Sequence, residues 1–383
     1  MVSTREQNIG LFCACAVGFA FSCNYTNHAP LIPLLMKQFG FTKTMAGLLT
    51  TAMFFTHAAM QIPGGHWADK FGGRKVIFFS LLIVAIGNIC IAQSNTYQEL
   101  LFWKFFIGLG TGTSFIAGAR YISQLVSADK LPSAQGYYGA SILLGSGFVI
   151  FVVPRIAVFA GWKAAFITTA SLALVVLLIW LLFSPKPALT KHSNISLASL
   201  LLHPQLWILG MVQMASFGLV IVVGSWITIL LKQQMAISSP ILISALASAV
   251  VLLGVITRPL GGFLVDKIGA RLLLEISFLL NTVACFLLAF VGGSMALAIV
   301  AILLLGIGCG LPYATLFNRA TVLFPGRAGA AKGLVNMLGV IMILIGAPLV
   351  GYVADVSGKF TNAFIALGCF SFIVWVISFK IKK

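Results

Sequence analysis

One apolar run follows another along this chain, and that succession limits its fold more than any single motif does. Each run approaches or exceeds the roughly 20 residues that a helix needs to cross a bilayer. The runs lie near 9–36, 43–64, 75–94, 99–122, 132–158, 162–184, 205–231, 239–262, 271–291, 295–318, 329–354 and 360–380, which predicts twelve helical spans. The connections are too short to hold a soluble domain. The longest polar one, Ser184 to Pro204, contains Pro185, Pro187 and Pro204 and divides the chain near its middle. The expected fold is an all-α membrane protein with six-helix bundles at 1–184 and 205–383, joined by a cytoplasmic linker at 185–204.

Composition agrees. At 60% hydrophobic and 8% charged, the 383 residues hold too little polar side chain to cover a soluble core. The net charge of +17 suggests nucleic acid at first sight, but the basic residues sit in the short connections, and no nucleic-acid partner is expected. One set of alternate connections carries Lys70, Arg74, Lys75, Lys130, Lys186, Lys191, Lys267, Arg271, Arg327 and Lys332. The other carries chiefly Lys37, Lys43, Lys163, Lys232 and Lys359. This bias predicts both termini in the cytoplasm of a plasma (bacterial inner) membrane. The first run is too long for a signal-peptide core and is expected to stay as a span. All seven cysteines fall within apolar runs without metal or redox spacing, so they read as packing residues and no cofactor is expected.

The two halves repeat. Gly65, Asp69, Lys70, Gly72 and Arg74 recur as Gly262, Asp266, Lys267, Gly269 and Arg271, at a constant offset of 197. Gly108, Gly110 and Gly112 recur as Gly306, Gly308 and Gly310 at 198, and Gly136 as Gly333 at 197. An even number of spans per half makes the repeat parallel. The glycines read as sites of close helix packing.

The segment Gly65–Lys75 resembles the loop between spans two and three of the major facilitator superfamily, with a weaker copy at Gly262–Arg271. Gly108-Leu109-Gly110-Thr111-Gly112 after Lys104 is similar to the superfamily's fourth-span motif, and Gly161-Trp162-Lys163-Ala164-Ala165-Phe166 to the start of its sixth span. The resemblance covers essentially the whole chain. It implies transport by alternating access, in which Asp69 and Asp266, with Arg74, Arg120, Arg271 and Arg319 nearby, latch the cytoplasmic side. The other reading of these charges is topology-setting alone.

Arg258 is the most informative single residue. It lies eight residues before Asp266, about 12 Å deeper on a helix, near the middle of a hydrocarbon core about 30 Å thick. An arginine there is costly and defaults to a functional role. The alternatives are a structural bond to a carbonyl, or snorkelling toward the gate. Gln61 occupies the matching place in the first half. The surroundings of both are similar to those where nitrate/nitrite carriers place paired arginines, though only the second arginine is present here and that family's glycine-and-asparagine signature is absent.

Among the seven acidic residues none falls clearly at mid-span, which argues against cationic substrates. The first span is interrupted by Asn24-Tyr25-Thr26-Asn27-His28-Ala29-Pro30. Asn24, Tyr25 and His28 are candidates to complete a solute site with Arg258 and Gln61, as are Lys104, Tyr138, Trp226 and Tyr313. For the aromatic residues ordinary packing is the competing reading, and for Lys104 it is snorkelling. His28 and His57 are candidate proton carriers, since histidine titrates near neutral pH, or else packed side chains. The function expected is secondary transport of a small anionic organic solute, with protons as a candidate second partner, by a monomer in the bilayer. Efflux of a hydrophobic or zwitterionic compound is the alternative within transport. A non-transporting sensor would be expected to add a signalling extension, yet the tail ends at Lys383. An enzyme is not expected, for want of metal-ligand spacing, a nucleophile elbow or paired intramembrane carboxylates.

Overall fold

The computed structural model describes residues 3–127, 130–186, 201–234, 239–324 and 328–380, without the side chains of Asp69, Pro132 and residues 328–330. Among the described residues all regular structure is helical. In the first half α1 (Thr4–Thr26) and α2 (Ile32–Phe39) flank a 3-10 turn at Ala29–Leu31. They are followed by α3 (Lys43–Ala59), α4 (Gln61–Phe71), α5 (Gly73–Gln93), α6 (Tyr97–Leu125) and the long α7 (Leu131–Phe183). In the second half α8 (Pro204–Gln213) and α9 (Leu219–Gln234) flank a π turn at Met214–Gly218. Then come α10 (Pro240–Ile268), α11 (Ala270–Ala289), α12 (Met295–Gly310), α13 (Pro312–Leu323), α14 (Ala328–Ser357) and α15 (Thr361–Ser378).

Among the described residues ten helices are long and apolar enough to cross a membrane. Two further spans are hidden in that number by local geometry. Pro63 has no N–H to give the carbonyl of Ala59, and the second span breaks at Met60 into α3 and α4. The fifth and sixth spans run together as α7 and are divided at Gly161, whose φ of 79° takes the chain out of helix. Side chains start several of the helices. Ser3 and Glu6 form a capping box on α1, and Thr96, Ser239 and Ser294 cap α6, α10 and α12.

The chain divides into two compact units, Met1–Phe41 with Ala52–Ser193 and Thr42–Thr51 with Asn194–Lys383. Inside each unit the repeated residues make repeated structure. Gly72 and Gly269, which end α4 and α10, adopt the same backbone, φ 87° and φ 80°. A Cβ on Gly110 would lie 2.6 Å from the carbonyl oxygen of Ser80, and one on Gly308 would lie 2.6 Å from that of Ser277. Ser80 and Ser277 are themselves 197 residues apart. The glycine runs thus let α6 close onto α5, and α12 onto α11, at backbone contact. Large apolar side chains such as Phe12, Phe79, Phe159 and Phe263 stand exposed, the surface that lipid covers in a protein of this hydrophobicity.

Candidate functional site

In the second unit, α10 is pinned to its neighbours on both sides of Arg258. The Thr257 hydroxyl donates to the carbonyl of Gly306 at 3.2 Å, and Gly261 abuts the carbonyl of Leu311. The chain breaks between α12 and α13 at Leu311, where Pro312 begins a new helix and sets Tyr313 in its first turn. The guanidinium carbon of Arg258 lies 4.0 Å from the centroid of the Tyr313 ring. Arg258 is 4% exposed, so this cation–π contact is made out of water, where it is worth about 2 kcal/mol or more. The Tyr313 ring is held in turn edge-on by Phe317, 4.6 Å away. Asp266 is exposed, Glu275 accepts from Arg271 Nε at 2.7 Å, and Asp355 accepts from the start of α3. A buried positive group of this kind favours a negatively charged guest.

Five buried polar residues of the first unit, Asn24, Asn27, Asn88, Lys104 and Thr169, form one network. Lys104 Nζ donates to Asn27 Oδ1 at 2.6 Å and to the carbonyl of Asn24 at 3.2 Å, with the Phe166 ring 5.8 Å away. Asn88 Nδ2 donates to Asn24 Oδ1 at 2.6 Å, while Asn88 Oδ1 accepts from Asn27 Nδ2 and Thr169 Oγ1. Four helices (α1, α5, α6 and α7) are tied together in this way. Lys104 does not snorkel: it is 1% exposed and completes the network at depth. Asn27, Asn88 and Thr169 were not among the candidates. Each is a polar residue inside an apolar run, which is visible in sequence, but their pairing across three helices is not.

His57 and Gln61 follow one another on the second span, one helical turn apart. His57 Nδ1 lies 3.1 Å from Thr111 Oγ1, and its ring is surrounded by Tyr25, Phe54 and Phe115. Gln61 is 6% exposed, and neither atom of its amide has a hydrogen-bond partner. His28 is fully buried beside the 3-10 turn, where its carbonyl accepts from Leu31 N at 2.9 Å.

The remaining candidates have packing assignments. The Tyr138 hydroxyl donates to the carbonyls of Ser114 and Phe115, at 3.1 and 3.0 Å. Trp226 Nε1 donates to the carbonyl of Ala347 at 3.0 Å and ties α9 to α14. Of the expected latch residues, the side chain of Asp69 lies outside the described residues. Arg74 donates to Ser184 Oγ at 2.8 Å and to the carbonyl of Leu181 at 2.6 Å, fastening the start of α5 to the end of α7. Arg120 is half-buried. Arg271 and Arg319 line a cleft of about 620 Å³ with Gly269 and Glu275.

The profile of the Major Facilitator Superfamily matches residues 14–347. The chain belongs to this superfamily. It is a multi-pass membrane transporter. Among superfamily relatives, it is 24% identical over 356 residues to the "Probable nitrate transporter NarT" of Staphylococcus haemolyticus, covering 91% of this chain and 90% of that one. It is 29% identical over 195 residues to the "Probable sulfoacetate transporter SauU" of Cupriavidus necator, covering 51% and 45%. A crystal structure of a bacterial homolog to the human lysosomal transporter Spinster, inward-facing and occupied, matches with a TM-score of 0.79 at 16% identity, over 98% of this chain and 97% of that one. At that identity the likeness shows the superfamily fold alone.

Proposed function

We propose that this transporter carries a small anionic organic solute across the plasma membrane by alternating access, and that Arg258 is the charge that selects it. The observation that carries the proposal is the guanidinium buried over the Tyr313 ring, 4.0 Å from its centroid. Burying an arginine at mid-membrane costs about 2.5–3.5 kcal/mol on insertion scales, and arginines held at such depth characteristically mark solute or ion pathways. The names of the relatives support the same charge sign, since nitrate and sulfoacetate are both anions. The basic bias of alternate connections supports cytoplasmic termini.

The test is uptake of labelled nitrate, sulfoacetate and small carboxylates into proteoliposomes. Wild type is expected to take up at least one of them, and Arg258→Gln to lose that uptake while keeping its thermal stability within a few degrees. Undiminished uptake by Arg258→Gln overturns the assignment.

A further inference from the structure

We propose that the π turn in the seventh span is a switchable joint, at which α8 turns against α14 during the transport cycle while α9 stays fixed. The joint lies wholly within the second unit, and the proposal holds whatever the solute is.

A π turn carries an extra residue, because each N–H reaches the carbonyl five residues back. Met214–Gly218 form such a turn, with Ala215, Ser216, Phe217 and Gly218 all buried. In an apolar span the displaced backbone groups need partners from the protein itself. Neighbouring spans supply them. Asn281 Nδ2, on α11, donates to the carbonyl of Ala215 at 3.0 Å. The Cys309 thiol, on α12, donates to Asn281 Oδ1 at 3.4 Å and so fixes which end of that amide faces the turn. Ser216 Oγ donates in return to the carbonyl of Cys309 at 2.6 Å.

Rewinding the turn to α-helix removes the extra residue from the coil. One side of the span then rotates against the other by about 100° and shifts by about 1.5 Å. The two sides are held unequally. α9 is buried from Leu219 to Leu231, and Trp226 Nε1 ties it to the carbonyl of Ala347 at 3.0 Å. In α8, Trp207 is 45% exposed, and Leu209 shares an apolar cluster with Leu334 and Leu338 of α14. Apolar contacts have no direction and let packed helices slide. The polar contact between α8 and α14 is half made. Gln213 Nε2 donates to Asn336 Oδ1 at 3.3 Å, while Gln213 Oε1 and Asn336 Nδ2 are buried without partners.

Orphaned atoms of this kind cost about 1–3 kcal/mol each, and native interiors hold few of them. A pair serving one fixed arrangement would use both ends of both amides, or would be apolar. A half-used pair fits a catch that is remade when α8 turns.

The first unit, which also breaks its first span, shows what a firm joint looks like. There Asn88 of α5 and Lys104 of α6 hold the two oxygens of Asn24. By chain order they stand where Asn281 of α11 and Cys309 of α12 stand in the second unit. A thiol thus replaces an ammonium, and hydrogen bonds from a charged donor are the stronger ones. The second joint is the looser of the two.

The test is hydrogen exchange read by mass spectrometry on the purified transporter, which needs no solute. In wild type the amides of Met214–Gly218 are expected to exchange about tenfold faster than those of 221–230, although both stretches are buried. Asn281→Ala is expected to widen the difference. A Cβ on Gly339 would lie 3.3 Å from Gln213 Cβ, near the separation of about 3.5–4.5 Å that a disulfide spans. The double variant Gln213→Cys with Gly339→Cys, once oxidised, is therefore expected to lose the fast exchange and, in proteoliposomes, to stop uptake. Reduction should restore both, which also reports that the variant folds. Exchange at Met214–Gly218 as slow as at 221–230 in wild type overturns the proposal. Fast exchange that persists in the oxidised variant overturns it too, since it marks a weak turn and not a moving one. Undiminished uptake by the oxidised variant removes the joint from the transport cycle.

Discussion

Asp355, near the end of α14, holds the start of α3 through Thr44: its carboxylate accepts from the Thr44 backbone N–H at 2.7 Å and from the Thr44 hydroxyl at 2.7 Å. It also accepts from Lys43 N at 3.1 Å, and Lys43 Nζ stands 3.8 Å away. A carboxylate at a helix N-terminus satisfies orphan N–H groups and meets the positive end of the helix dipole. Further along, the Thr51 hydroxyl donates to the carbonyl of Leu344 at 2.8 Å, and a Cβ on Gly47 would lie 2.5 Å from Pro348 Cα. Residues Thr42–Thr51 accordingly pack with the second unit, while the chain from Ala52 packs with the first. Asp355→Asn is expected to lower stability by about 1–2 kcal/mol, read as a lower melting temperature in detergent. A double-mutant cycle with Thr44→Val tests the pairing. Additive losses in that cycle would show that the two side chains do not act together.

Tyr313 offers Arg258 the face of its ring, and the prediction turns on ring against hydroxyl. Tyr313→Phe keeps the face and is expected to leave KM for the transported anion within about twofold. Tyr313→Leu removes it and is expected to raise KM about thirtyfold, on a contact worth about 2 kcal/mol out of water. Arg258→Lys keeps the charge but not the planar guanidinium, and should fall between wild type and Arg258→Gln. A Tyr313→Leu transporter with unchanged KM would remove the ring from the account.

The fold was legible because it rests on periodic and repeated features. Asp69-to-Arg74 and Asp266-to-Arg271 announce two matched turns, and the positive φ at Gly72 and Gly269 is what those glycines are for. Arg258 was legible because a charge deep in an apolar run has few innocent explanations. The Asp355–Thr44 clasp was not, because its partners lie 311 residues apart and each looks like an ordinary loop-end polar residue. Lys104 shows the same limit. Its place early in the fourth span suggested snorkelling or a cavity-facing charge, and what decides the matter is Asn27, whose side chain reaches it only after α1 and α6 have packed.

That network makes Lys104 a test of structure against transport. Lys104→Met keeps the length of the side chain but leaves Asn27 Oδ1 and the Asn24 carbonyl without their donor. The expected cost is about 1–3 kcal/mol, seen as a lower melting temperature, with KM for the anion unchanged. Asn88→Leu, which strips partners from Asn24, Asn27 and Thr169, should behave alike. If Lys104→Met instead raised KM at unaltered stability, Lys104 would belong to the solute site.

The repeated glycines make a last prediction, because the same substitution should have opposite effects at two kinds of matched pair. At Gly110 and Gly308 an added methyl meets a carbonyl oxygen at 2.6 Å, and that oxygen belongs to backbone that cannot step aside. Gly110→Ala and Gly308→Ala should each cost about 1–3 kcal/mol by forcing two helices apart. At Gly136 and Gly333 an added methyl meets nothing within 4 Å. Both positions are helical, where alanine is favoured over glycine by up to about 1 kcal/mol, so these substitutions should be neutral or stabilising. The four melting temperatures, measured under one condition, decide it. Matched signs within each pair and opposite signs between pairs would show that the two halves share helix contacts, not merely letters. A mismatch within either pair would confine the repeat to sequence.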